Sequence, residues 1–222
     1  MGKDKNIIKY PRLLLCEGMD EKQFLIAYIN NLIASGVIED NLIEIRNFGG
    51  NEELTNYLRV LINTDGFEKV EKISIIRDAE TNYQTAEASI QSSILNSGID
   101  KKFDCEIKYY LLPCKDSNGN WQNGTLEDLA VQILCENISG EAATKVLIEK
   151  GNALLSDTAS LRGKEFIRKH KNLLYIYFSC TDKFVTYKIG EAANIGAFNW
   201  RSAKLDNLKQ FIIELAERKN KQ

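Results

Sequence analysis

The sequence predicts an α/β protein: a mainly parallel, four-stranded, doubly wound sheet flanked by helices, with a C-terminal helical extension. Three observations carry this. Short apolar runs at 12–17, 42–48, 72–78 and 105–113 alternate with longer segments whose apolar residues recur at helical spacing. The connections between runs are long enough for helical crossovers, which join parallel strands. Beyond Pro113 the strand signal stops and helical patterns fill the rest of the chain. The expected division is an α/β core over 10–115 and, over 116–222, a polar loop plus a helical extension packed on that core as one structural unit.

Each element follows in order. "RLLLCE" (12–17) reads as the first strand, closed by Gly18. In the helix expected over 20–35, Phe24, Tyr28 and Leu32, with Leu25, Ile29 and Ile33, repeat at helical spacing. "LIEIRNF" (42–48) is the second strand and ends on Gly49-Gly50. A helix over 51–64 takes Asn51 as its N-cap. "KISIIRD" (72–78) is the third strand, a helix follows near 82–97, and "CEIKYYLLP" (105–113) is the fourth strand. "CKDSNGNWQNGT" (114–125), with two Asn-Gly turn signals, reads as a loop or short hairpin. Helices are expected at 126–137, 140–150, 160–179, 186–195 and 204–219, with 151–159 the least structured stretch of this half.

Composition narrows the chemistry. The 222 residues are 44% hydrophobic and 27% charged, with a formal net charge of −2, so a nucleic-acid partner must be met by a local patch or through cations. No apolar run approaches the roughly 18–20 residues of a membrane span. The charged start "MGKDKNIIKYPR" lacks signal-peptide character, and a cytoplasmic location is expected. Five cysteines at 16, 105, 114, 135 and 180 never form a CxxC pair, which argues against a zinc site or a disulfide framework. Four of the five lie in apolar contexts and are expected to be buried. His170 is the only histidine, so a catalytic metal must rest on oxygen ligands, which favours Mg²⁺ or Mn²⁺.

Ligands of open parallel sheets bind outside the carboxyl ends of the strands. Strand one ends in Glu17-Gly18, with Glu21 one helical turn on. Strand two ends in Gly49-Gly50, where backbone can approach a ligand closely. Strand three ends in Asp78-Ala79-Glu80, and positions i and i+2 of an extended chain point the same way. If strands one and three are neighbours, these acids meet at one edge. Clustered carboxylates repel one another and persist most easily around divalent cations. The competing explanation is helix entry, where acids complement the macrodipole.

The joint pattern "CEGMDE", then Gly-Gly, then "IIRDAE" resembles the Toprim domain of topoisomerases, bacterial primases and overcoming-lysogenization-defect nucleases. Glu17 stands in the place of that family's first acid, Glu21 in the place of the acid one turn on, and Asp78 with Glu80 in the place of its Asp-x-Asp motif, here lengthened by one methylene. "LLPCKDSNGNWQNGTLEDLA" and "YKIGEAANIGAFNW" are similar to a small stand-alone Toprim family of uncharacterised function with a helical tail. "GTLED" is also similar to the nucleases' Ser-x-Glu element, which would add Thr125 and Glu127 to the site. The same stretch fits a T-x-x-D capping box through Asp128. The nucleases also place a late-helix lysine near the scissile phosphate. Lys164, Lys169 and Lys171 are the candidates here, with Lys171 first because it precedes the apolar run "NLLYIYF".

The resemblance implies a Mg²⁺- or Mn²⁺-dependent phosphoryl-transfer enzyme, a nuclease acting on DNA or RNA. Glu17, Asp78, Glu80 and Lys171 would be catalytic. Glu17, Glu21, Asp78, Glu80, Thr125 and Glu127 would hold metal, and Gly18, Gly49 and Gly50 would let phosphate approach. The alternative is a non-catalytic Toprim module that binds metal and nucleotide or nucleic acid, acting with a partner ATPase of the ATP-binding-cassette type in a defence complex. The chain has no GxxxxGK[ST] motif of its own. A generic Rossmann-type binder would need the GxGxxG fingerprint, which is missing, and would leave the acids unexplained. Topoisomerase and primase action would need further modules for which there is no room.

Overall fold

The computed structural model describes residues 7–102, 107–116, 119–136, 142–181 and 188–217. Four strands, β1 (Arg12–Cys16), β2 (Ile43–Asn47), β3 (Lys72–Asp78) and β4 (Ile107–Leu112), form one sheet in the order β2-β1-β3-β4. All three pairings are parallel. The doubly wound α/β reading therefore holds, and its four strands lie within a residue or two of where the apolar runs place them. Cys105, expected at the start of β4, lies outside the described residues.

The helices are α1 (Met19–Ala34), α2 (Leu54–Leu61), α3 (Tyr83–Ser97), the single turn α4 (Ile99–Lys102), α5 (Leu126–Cys135), α6 (Ala142–Arg162), α7 (Lys169–Ser179), α8 (Ile189–Asn194) and α9 (Asp206–Ala216). Strand alternation sorts them into two layers. Leu13 and Leu15 of β1 and Ile73 and Ile75 of β3 face Leu54 and Leu58 of α2 and Ile90 of α3. Leu14, Cys16 and Ile76 point the opposite way. There they meet Phe24 and Tyr28 of α1, Leu129 of α5, Leu173 of α7, Ala192 of α8 and Ile212 of α9. Each such buried side chain contributes about 1.5–3 kcal/mol before the entropy of ordering it is subtracted.

Several local expectations change. Asn51 opens a 3₁₀ turn (Asn51–Glu53) instead of capping a helix, and α2 starts at Leu54. The stretch 151–159 is not irregular but the middle of the 21-residue helix α6. Gly151 gives close approach to α7: a Cβ there would lie 2.7 Å from Leu173 Cδ1. The nearby hydroxyls donate within the helix, Thr158 Oγ1 to Leu154 O and Ser160 Oγ to Ser156 O. The helix stops at Gly163, whose φ of +62° favours glycine, so the expected 160–179 helix begins only at Lys169. The loop after Pro113 is a small hairpin in its described part, with Lys115 bridged antiparallel to Trp121. Cys16 and Cys114 are buried, but Cys135 and Cys180 are exposed, because each falls at a helix end. The aromatics of the two C-terminal segments serve the core: Phe178 and Phe198 are buried, and Trp200 stacks on Tyr28 at 5.4 Å.

Gly190 shows how tightly the C-terminal half sits on α1. A Cβ there would come within 2.5 Å of Gln23 Cβ and 2.9 Å of the Asp20 carbonyl. Gly190→Ala is therefore expected to cost about 1–3 kcal/mol through overpacking, read as a lower urea midpoint at unchanged slope. An unchanged midpoint would contradict this close seating of α8.

Candidate functional site

The order β2-β1-β3-β4 reverses direction at β1, so the crevice between the carboxyl ends of β1 and β3 is the topological switch point, where such sheets bind ligands. Cys16 pairs with Ile76, which sets Glu17 beside Arg77 and puts Asp78 one residue further along. A cleft of about 780 Å³ opens at this edge. Glu17, Gly18, Glu21, Asp78, Glu80, Thr125, Glu127 and Lys171 all line it, as does Lys169. Lys164 does not, nor do Gly49 and Gly50. The Gly49 amide instead donates to the Glu17 carbonyl at 3.1 Å, fixing the β2 end against the β1 end.

The acids arrive from different directions. Asp78 is 9% exposed, and its Oδ1 accepts from the Leu126 amide at 2.8 Å, at the first turn of α5. Burial, then the neighbouring Glu21 and Glu127, hold its carboxyl well above the ordinary carboxylate range, and the Leu126 hydrogen bond only partly offsets them. Burial likewise pushes Glu21 up, with Glu127 and Asp20 adding to it. Glu17 is raised by burial as well, against the pull of Arg77. Its Oε2 lies 3.8 Å from Arg77 Nε, near enough for an ion pair but too far for a hydrogen bond, and is otherwise unpartnered among the described residues. Cys16, buried beneath, has its thiol pushed up to about 12 and is inert.

Glu80 reaches the cleft by a route that strand alternation does not describe. β3 ends at Asp78, and Glu80 is left-handed with φ of +55°, a conformation costing a non-glycine residue roughly 1–2 kcal/mol. Two backbone bonds hold it, Glu80 N to Gly124 O at 2.8 Å and Gly124 N to Glu80 O at 2.7 Å. They fasten the segment entering α5 to the end of β3. Gly124 has φ of +140°, and a Cβ there would crowd Pro113 Cδ at 2.9 Å and Asp128 Cγ at 3.0 Å.

Thr125 and Asp128 form the capping box expected of them: Asp128 Oδ2 accepts from Thr125 N at 2.7 Å and Thr125 Oγ1 at 2.8 Å. Glu127 has a separate role, meeting Lys171 Nζ at 3.7 Å across the cleft. The cleft is also lined by the cations Arg168, Lys169, Lys171 and Lys188, and by His170. Sequence reasoning missed Arg77, Arg168, Lys188 and the contact between His170 and Asp128. His170 and Asp128 lie 42 residues apart in sequence, and only the packing of α7 on α5 brings them together.

The donors suit a hard cation: the acids are carboxylates, three of them are raised by crowding and burial, and Glu17 Oε2 is a buried orphan. As positioned, no three acidic, histidine or cysteine groups among the described residues stand close enough to hold one ion together. Shared binding would require the carboxylates to turn inward.

The raised groups have a signed consequence. The folded chain binds more protons than the unfolded one at Glu17, Glu21 and Asp78, so their contribution is full in acid and is lost as pH rises through their raised values. Asp128 runs the other way. Burial raises it, but the bonds from His170 and Thr125 outweigh that, so its contribution is lost only as pH falls below the ordinary carboxylate range. In cation-free buffer, Asp78→Asn should be more stable than wild type, by a margin that grows as pH rises from the ordinary carboxylate range towards the raised value of Asp78. Denaturant midpoints across that range check this; a margin that shrinks would contradict the crowding of Asp78.

Among known proteins, residues 11–217 match the family described as "Protein of unknown function (DUF3226)". No curated protein and no solved structure matches the chain. No helix among the described residues is long and apolar enough to cross a membrane. With nearly its whole length matched, the chain belongs to the DUF3226 family.

Proposed function

We propose that this protein is a Mg²⁺- or Mn²⁺-dependent phosphoryl-transfer enzyme of Toprim type, a nuclease that hydrolyses DNA or RNA phosphodiesters. The observation that carries this reading is the bipolar cleft at the switch point. It is lined both by the acids Glu17, Glu21, Asp78 and Glu80 and by the cations Arg168, Lys169, Lys171 and Lys188. A phosphodiester needs both: cations to offset its charge, and carboxylates to hold a divalent ion against it. Glu17, Glu21, Asp78 and Glu80 would hold the ions, with Thr125 and Glu127 completing the shell of a second. A bound ion there would supply charge stabilisation at the phosphate oxygens.

The chain's own groups divide the remaining work. Lys171, 34% exposed at its side chain, is anchored by Glu127 and offsets negative charge developing on the phosphate. Asp78, held by the Leu126 amide, is the most buried of these acids. Glu17, partly exposed and paired loosely to Arg77, is the acid free to accept a proton from water. With a net charge of −2, nucleic-acid contact would rest on a local patch such as these cations, or on bridging metal ions.

A second reading has its own observation. Because no three ligating groups among the described residues stand together, the site also suits a module that binds metal and nucleic acid without turnover, acting with a partner ATPase. Incubation with plasmid, single-stranded DNA and RNA in Mg²⁺, Mn²⁺ or EDTA separates the two. The enzyme reading expects metal-dependent cleavage, lost by about 100-fold or more in Asp78→Asn. Glu80→Asp should cost on the order of 100-fold by withdrawing a ligand about 1 Å. Micromolar Mn²⁺ binding without cleavage of any substrate would favour the binding module.

A further inference from the structure

The contact between His170 and Asp128 is left over when capping and phosphate binding are accounted for. A capping aspartate needs only the N-cap residue, and Asp128 obtains both of those bonds through Oδ2. Its other oxygen, Oδ1, meets His170 Nδ1. The carboxylate is thereby gripped on one side and presented on the other, and its fixed oxygen accepts the Nδ1 proton. The opposite ring nitrogen, Nε2, is left to act. The imidazole is 41% exposed at its side chain and lines the same cleft as Glu17, Asp78 and Lys171. A carboxylate that fixes the imidazole tautomer and leaves the far nitrogen for the reaction is the arrangement used for proton transfer. The charged groups sharing this cleft are Glu17, Asp78 and Glu80 at the strand ends, Asp20 and Glu21 of α1, Glu127 and Asp128 of α5, and the cations Arg168, Lys169, Lys171 and Lys188.

We infer that His170 is a catalytic residue of this cleft, donating a proton from Nε2 to the leaving oxygen of the phosphodiester, and that Asp128 is its positioning residue. This rests on the hydrolytic reading above. In the step, the oxygen of a water molecule forms the new P–O bond and Glu17 takes its proton. The bond from phosphorus to the leaving oxygen breaks with its electron pair, and the proton from imidazolium Nε2 goes to that oxygen. The products are a phosphomonoester and an alcohol. Lys171, one residue on, offsets charge on the phosphate itself, so adjacent residues of one helix would serve the two oxygens that differ most in the transition state.

The test compares leaving groups. A nucleic-acid strand expels a basic alkoxide that needs a proton, whereas thymidine 5′-p-nitrophenyl phosphate expels a weakly basic phenolate that does not. His170→Gln should lose about 100- to 10,000-fold on the strand and stay within a few-fold of wild type on the p-nitrophenyl ester. Equal loss on both substrates, or no loss on the strand, overturns the assignment. If wild-type protein cleaves neither substrate in Mn²⁺, the hydrolytic reading falls and takes this assignment with it, an outcome distinct from an active wild type matched by its variant. Because His170 is the only histidine, its imidazole nitrogens give a single set of ¹⁵N resonances. The neutral ring should show the Nδ1–H tautomer in wild type, and Asp128→Asn should shift it towards Nε2–H. An unchanged tautomer in that variant overturns the role given to Asp128.

Discussion

The parallel pairing of β1 with β3 is the constraint on which the cleft depends. With Cys16 opposite Ile76, two strands 60 residues apart in sequence must end together, and both end in acids. The residues that follow fall on opposite sides of the sheet: Glu17 turns towards Arg77, while Asp78 turns towards α1 and α5. A one-residue slip would exchange those sides and put Asp78 into the apolar layer of α2 and α3. The two hydrophobic clusters that pin this register are therefore also what positions the site.

The edge this creates is not optimised for stability. Asp78, Glu21 and Glu17 are all raised by burial and by neighbouring acids, and among the described residues Arg77 alone forms an ion pair with any of the three. Left-handed Glu80 adds backbone strain at the same edge. Asn82 caps α3 and a full capping box opens α5. Concentrating unfavourable charge and strain at one crevice is the pattern expected where a site is maintained against stability.

Much of this was legible in the sequence because it rests on local signals. Apolar runs closed by glycine mark the strands, and acids at the ends of β1 and β3 need only adjacency to meet. What escaped depends on tertiary geometry. Glu80 was read by strand periodicity, but a pairing with Gly124 turns it left-handed. The stretch 151–159 read as the least structured of its half, although it is the middle of α6, where Gly151 leaves room for Leu173. Gly49 and Gly50 have the right composition for phosphate approach, yet the Gly49 amide is spent on Glu17 and neither residue lines the cleft. His170, a solitary histidine in a basic stretch, carried no signal until α7 was seen against α5.

The central claim is that the acids of β1, α1 and β3 form one cation site despite standing apart in the described geometry. Crystals grown without divalent ions and then soaked in Mn²⁺ test it directly through the anomalous signal of manganese. The account predicts a peak in the cleft coordinated by Asp78 together with Glu17 or Glu21, with those side chains turned inward from their present positions. Manganese found only at surface carboxylates, with the Glu17–Arg77 pair and the Asp78–Leu126 bond undisturbed, would contradict it.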